Sequence, residues 1–235
     1  MLKTKNQSRG IQAMPALKPV EYLTLREQVT VSVRNALMNG HFQPGQIITV
    51  KAISTMLGAS VMPAREAMNR LIAEGSLELR ANRSVIVPEL SAREFDEITD
   101  LRIHIEGLAA SQAIPNLQAS HLLRLKELDA EMRSAVAAAD VEAFLDRNFQ
   151  FHFLIYRLGA SNFILSVIEK LWVRVGPLIR FCLDDHGFAD STHLHAQVIL
   201  GLETGNAEML SQAIIADIAG AAQSIRATFP AAPRT

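Results

Sequence analysis

Apolar positions recur along the first part of the chain with helical spacing. Leu25, Val29, Val33, Ala36 and Leu37 form one stripe, opened by the capping box Thr24–Glu27 and closed at Gly40. After the turn His41-Phe42-Gln43-Pro44-Gly45, the pair Ile47-Ile48 is apolar enough for a short strand. Thr49 then caps a short segment whose stripe is Ile53, Met56 and Leu57, and Gly58-Ala59 breaks it. Ser60 caps the next helix, Pro63 lies in its first turn, and Ala67, Met68, Leu71 and Ile72 run as its stripe to Gly75. There the period changes from helical to alternating. Leu77-Glu78-Leu79-Arg80 and Val85-Ile86-Val87 flank the polar tip Ala81-Asn82-Arg83-Ser84, which predicts a hairpin. Helix, turn, helix and basic-tipped hairpin read as a winged helix-turn-helix. In that motif the second helix of the pair enters a major groove, and the wing reaches the neighbouring backbone or minor groove.

Pro88 and Ser91 mark a boundary, and Ser91 with Glu94 forms a second capping box. From there the pattern is helical throughout, rich in Ala and Leu, with proline only at Pro115, Pro177 and the end. It predicts helices near 91–113, 117–138, 140–159, 161–185, 191–204 and 206–228, the last two meeting at Thr204-Gly205-Asn206. The expected molecule is mostly α. A tail (1–20) precedes a winged helix-turn-helix domain (21–90), and an all-α bundle of six to seven helices (91–229) follows.

Length and charge fit that division. The 235 residues, 49% of them apolar, suffice for two modest cores. The net charge of −1 hides an asymmetry: residues 1–90 carry 11 Lys and Arg against 6 acids, net +5, and residues 91–235 are net −6. Only the first part suits a polyanion. Lys3, Lys5, Arg9 and Lys18 make the tail itself basic, either as an extra sequence-blind attraction to phosphates or as a tail without a role. No apolar run approaches the ~20 residues a bilayer requires, and the N-terminus lacks a signal-peptide core. A cytoplasmic protein without membrane contact is expected. Cys182 is the single cysteine, so no internal disulfide forms, and its flanks Phe181 and Leu183 suggest an inert thiol.

The second domain holds the candidate chemistry. Phe95, Ile98, Leu101, Ile105 and Leu108 form the stripe of its first helix, and Arg102 falls on the same side. An inward arginine needs an anion, which Glu106 one turn on or a ligand could supply. Asn148 and His152 project from one face of a helix crowded with Phe144, Leu145, Phe149, Phe151 and Phe153. His195 opens a later helix, and Asp217 is an acid in the apolar run AIIADIAGAA. These four could converge as nitrogen and oxygen ligands for a divalent metal, or remain hydrogen-bonded core residues. His104 and His121 read as surface histidines. A rival reading, a metal-dependent enzyme for small organic acids with an appended winged domain, finds no Ser-His-Asp, P-loop or GxGxxG signature in support.

LREQV, NGHFQPGQ and LGASVMPAREAMNRLIAEGSLELRANRS resemble the DNA-binding domain of GntR-family bacterial transcription regulators. The resemblance implies operator contacts from Arg65, with Lys51 and Arg83 near further contact positions and Ser60 at the head of the reading helix. It also exposes departures: Val61 stands where an arginine is usual, Met62 where threonine is common, and Ser84 where the wing carries glycine. Arg65 and Arg70 could also be ordinary solvated helix residues, with Glu66 paired to Arg70. Val61 and Met62 could instead touch a thymine methyl, so a different operator is expected. DLRIHIEGLAA, NFQFHFLIYRLGASN and HAQVILGLETGNAEMLSQAIIADI resemble the helical FCD effector domain of the FadR-type branch. That similarity implies a Zn or Ni site at Asn148, His152, His195 and Asp217, where the first usual acid is an amide and the last usual histidine an acid. It further implies a small carboxylate effector with Arg102 as counter-ion, and a homodimer.

Overall fold

The computed structural model describes residues 23–182 and 187–230, with the side chains of 182–192 outside that description. The expectations for the basic tail and for the Cys182 thiol therefore lie outside the described residues. Helix α1 (Leu25–Met38) starts with the expected Thr24–Glu27 capping box. Strand β1 (Ile47–Ile48) leads to α2 (Val50–Met56) and α3 (Val61–Ala73). Strands β2 (Glu78–Leu79) and β3 (Val85–Ile86) complete an antiparallel sheet in the order β1-β3-β2, with Ile47 opposite Ile86 and Leu79 opposite Val85. Val29, Val33, Leu37, Ile53, Ala67, Met68 and Leu71 close the core beneath it.

Three details differ from the expected pattern. Leu25, Met56 and Leu57 are exposed, not part of the core. Helix α2 has only seven residues, so one turn buries Ile53 and the next ends in solvent. At the wing tip the left-handed backbone falls on Arg83 (φ 65°), one residue before Ser84. Asn82 Oδ1 accepts from the Ser84 amide (3.0 Å) and hydroxyl (2.6 Å), and the Arg80 amide donates to the Ser84 carbonyl (2.9 Å), which together hold that conformation.

Six long helices follow: α4 (Ala92–Ser111), α5 (Ala119–Ala137), α6 (Val141–Gly159), α7 (Asn162–Ile179), α8 (Gly187–Glu203) and α9 (Ala207–Ala227). Helix α9 packs on α4 and α8, and α5 on α6 and α8. Gly159 lets the end of α6 press on α4, since a Cβ there would lie 1.8 Å from the Ala109 carbonyl oxygen. The expected helix 161–185 stops at Ile179 and tightens into a 3₁₀ turn at Arg180–Cys182. Pro177 lies in its last turn, where the missing N–H and the ring disfavour continuation. The next helix begins at Gly187, so His195 lies well inside it and does not open it.

The bundle's first helix is rotated from the expected stripe. Phe95, Thr99, Arg102, Glu106, Ala109 and Ala110 face the core, whereas Leu101 and Leu108 are exposed. The two units meet along α1 and α7. A Cβ on Gly176 would come within 2.3 Å of the Leu37 carbonyl oxygen and 2.6 Å of that of Met38. Beside this contact, His41 places Nδ1 2.6 Å from Glu142 and Nε2 3.0 Å from Asp146, both on α6. Asn39 also donates to Asp146 (2.8 Å).

Candidate nucleic-acid interface and metal centre

Ser60 occupies the N-cap of α3, yet its side chain makes no capping bond. Thr24, Thr49, Ser91, Asp140, Ser161 and Asn206 each accept from the amide three residues on. Three residues after Ser60 stands Pro63, which has no N–H to give. The Ser60 hydroxyl is thereby left at the exposed tip of the helix. Val61, Met62 and Arg65 are exposed beside it.

The cations of this unit divide into two groups. Arg34 and Arg70 converge on Glu74, and Arg80 bonds Glu78 and Glu89. The expected partner of Arg70 was Glu66; Glu74, one turn in the other direction, takes it at 2.8 Å and adds Arg34. Lys51, Arg65 and Arg83 are exposed and, like Arg26, enter no ion pair among the described residues. A cation without a partner keeps its charge available to phosphate.

In the bundle, one carboxylate organises the interior. Glu106 on α4 accepts from Arg102 Nε (2.7 Å) and Nη2 (3.3 Å), from the Tyr156 hydroxyl (2.6 Å) on α6 and from Trp172 Nε1 (2.9 Å) on α7. Burial works against the Arg102 charge, but Glu106 outweighs it and raises the guanidinium pKa. Burial, then Glu106, pushes the Tyr156 hydroxyl well above its ordinary value, so it keeps its proton.

That proton fixes its neighbour. Tyr156 donates to Glu106, so its oxygen can only accept from His152 Nδ1, 3.2 Å away. His152 therefore carries a proton on Nδ1, and Nε2 faces Asp217 Oδ2 at 3.2 Å. Nε2 is thus placed to share a proton with Asp217 or to ligate a metal ion. Burial works against the Asp217 charge, yet the hydrogen bond from His152 and the charge of Arg102 hold its carboxyl below the usual range.

His195 on α8 completes the group. The ligating atoms of His152, His195 and Asp217 lie within 4.8 Å of one another. Among the described residues neither buried His195 ring nitrogen has a hydrogen-bond partner, and Nε2 is 3.7 Å from Asp217 Oδ1, beyond hydrogen-bonding reach. Burial lowers its pKa to about 4, so it is a neutral imidazole and not an ion-pair partner at neutral pH. Two neutral nitrogens with no partner are costly unless something coordinates one of them. Two imidazoles and a carboxylate suit Zn or Ni, and the donor set fits such an ion.

Asn148, one turn before His152, lines the same cavity of about 30 Å³, as do Arg102 and Asp217, with Phe95, Phe144 and Ile218 on its apolar side. That volume holds about two water molecules. Tyr156 and Trp172 are members that the sequence reading missed. The signal for Tyr156 was there, because it continues the row Asn148, His152 at the same four-residue spacing. His104 is exposed, and His121 caps α5 by accepting from the Gln118 amide (3.2 Å), so neither approaches this centre.

A winged reading head joined to a helical bundle with a polar, buried pocket defines the class of one-chain DNA-binding transcription regulators. Residues 25–87 match the bacterial regulatory proteins of the gntR family and residues 97–220 match the FCD domain, and the chain belongs to that family. It is 31% identical over 168 residues to the HTH-type transcriptional regulator McbR of Escherichia coli (strain K12), a match covering 72% of this chain and 76% of that one. It is 25% identical over 162 residues to the Nta operon transcriptional regulator of Aminobacter aminovorans, covering 68% and 76%. The solved structure of E. coli McbR/YncC superposes with a TM-score of 0.77 at 26% identity, covering 84% of this chain and 95% of that one. A GntR transcriptional regulator from Rhodococcus sp. RHA1 shares the fold, with a TM-score of 0.69 at 22% identity over 87% and 99% of the two chains. These relatives are regulators, which sets aside the enzyme reading. Among the described residues no helix is long and apolar enough to cross a membrane.

Proposed function

We propose that this regulator binds a palindromic operator as a homodimer and releases or tightens it in response to a small carboxylate held in the FCD bundle beside a divalent metal. Arg65, Lys51 and Arg83 contact the duplex, with Ser60 donating to a phosphate. The exposed Leu101 and Leu108 on α4 support a dimer assembled through the helical unit. His152, His195 and Asp217 hold the ion, with the amide oxygen of Asn148 as a further donor. The metal supplies a fixed positive charge for an anionic ligand. Arg102, held rigid by Glu106, supplies a second one on the cavity wall.

The cavity is too small for an organic acid as it stands, so the ligand must part its walls. Trp172 forms one of those walls, and one turn further along α7 Gly176 presses on the last carbonyls of α1. Ligand entry then displaces the seat of the reading head, and its differential affinity for the two arrangements sets the coupling.

The observation that carries the metal is His195, a neutral buried imidazole whose two nitrogens have no partner among the described residues and which lies beside an ionised Asp217. The test is elemental analysis and a thermal melt of the full chain with Zn or Ni added. The expected result is one ion per chain and a higher midpoint, both lost in the His152→Ala/His195→Ala variant. Undiminished metal content in that variant overturns the assignment.

A further inference from the structure

The turn into α3 exposes an unusual amount of hydrocarbon. Met56 is 68% exposed, Leu57 40%, Val61 49% and Met62 62%, all within seven residues of chain. Single apolar residues at a surface are ordinary, but four bulky ones around one helix tip form a patch. The sequence pattern assigned Met56 and Leu57 to the core, and the short α2 leaves them outside it. Lys51 and Arg65, both exposed and free of ion pairs among the described residues, stand on the same two helices, α2 and α3. Exposed hydrocarbon and unpaired cations on one helix pair suit a major groove, with phosphates on its edges and base edges on its floor.

We propose that this tip reads thymine methyl groups, with Val61 and Met62 as the primary specificity-determining residues and Met56 extending the contact. The inference rests on the operator-binding reading above. Val61 and Met62 carry no group that can donate to or accept from a base edge in the way arginine does. On the floor of the major groove, thymine alone among the four bases presents an apolar group, its C5 methyl. Arg65, one turn further in, supplies the polar contact that fixes the register, and Lys51 meets the backbone. Each half-site therefore carries A·T pairs under the start of α3.

The experiment uses the full chain and a duplex enriched by it from a random-sequence library. Thymines of the enriched half-sites are replaced one at a time by deoxyuridine, which removes the methyl and leaves every hydrogen-bonding edge intact. Each methyl in contact should cost about fourfold in affinity, with the salt dependence of binding unchanged because the phosphate contacts are the same. In the Val61→Ala/Met62→Ala variant the deoxyuridine penalty should vanish; both side chains are exposed, so the fold survives the change. Full affinity for a fully deoxyuridine-substituted site overturns the proposal, as does an undiminished penalty in the variant. Loss on replacing a guanine elsewhere in the half-sites by 7-deazaguanine, without any deoxyuridine effect, also counts against it. If no sequence is enriched at all, the operator-binding reading falls as well, so the two failures are distinguishable.

Discussion

Ser60 and Ser91 hold the same position in their helices under different conditions. Ser91 accepts from the Glu94 amide (3.2 Å), and Glu94 returns a bond to the Ser91 amide (2.9 Å). Ser60 faces a proline and caps nothing. Ser91→Ala should therefore cost about 1 kcal/mol by urea denaturation, whereas Ser60→Ala should cost less than about 0.5 kcal/mol and instead weaken DNA binding. Equal stability losses would contradict this difference. His195 has a pH signature of its own. Its folded pKa is about 4 and its ordinary value 6.5, with burial the main cause. As pH falls below 6.5 the unfolded chain takes up a proton that the folded one refuses, so the metal-free protein loses stability between 6.5 and about 4. The contribution is intact above that window, and the loss reaches about 3 kcal/mol. Urea midpoints measured across the window should fall less steeply in His195→Phe, and identical slopes would rule the assignment out.

Helix α4 shows how far an element can be read in advance. Its start was legible, because Ser91 and Glu94 form a capping box in any setting. Its orientation was not. Leu101 and Leu108 make a better apolar stripe than the one actually buried, and a pattern of hydrophobicity cannot register that Arg102 and Glu106 neutralise each other and find Tyr156 and Trp172. A satisfied polar network turned the buried face partway round the helix, keeping Phe95 and Arg102 inside and leaving Leu101 and Leu108 out. The same logic freed Met56 and Leu57, since two turns of α2 cannot bury both ends. Asn148, His152 and Asp217 were legible as out-of-place polar residues in apolar helices, and the structure brings them to one cavity. The rotated α4 has a consequence that can be measured. Leu101→Glu/Leu108→Glu should leave the fold intact and yield a monomer in sedimentation equilibrium, with weaker operator binding. A dimer unchanged in the variant would place the two-fold interface elsewhere.

At the scale of the molecule, the reading head is seated on the bundle by a glycine. Gly176→Ala drives a methyl into the carbonyl oxygens of Leu37 and Met38, so α1 must move off α7. Such overpacking should cost about 1–3 kcal/mol, and ligand should no longer alter DNA affinity although metal still binds. Retained ligand response in this variant would show that the signal travels by another route, of which the His41 contacts to Glu142 and Asp146 on α6 are the nearest.

The four donors gathered on Glu106 come from three different helices, and none of Asn148, His195 or Asp217 is among them. Scaffold and ligand set thus join at Arg102 and at the Tyr156–His152 contact: the hub keeps the helices in register while Asn148, His195 and Asp217 remain free to be rewritten. A chain built this way can drift from one ion or metabolite to another by exchanging peripheral side chains, without first having to refold.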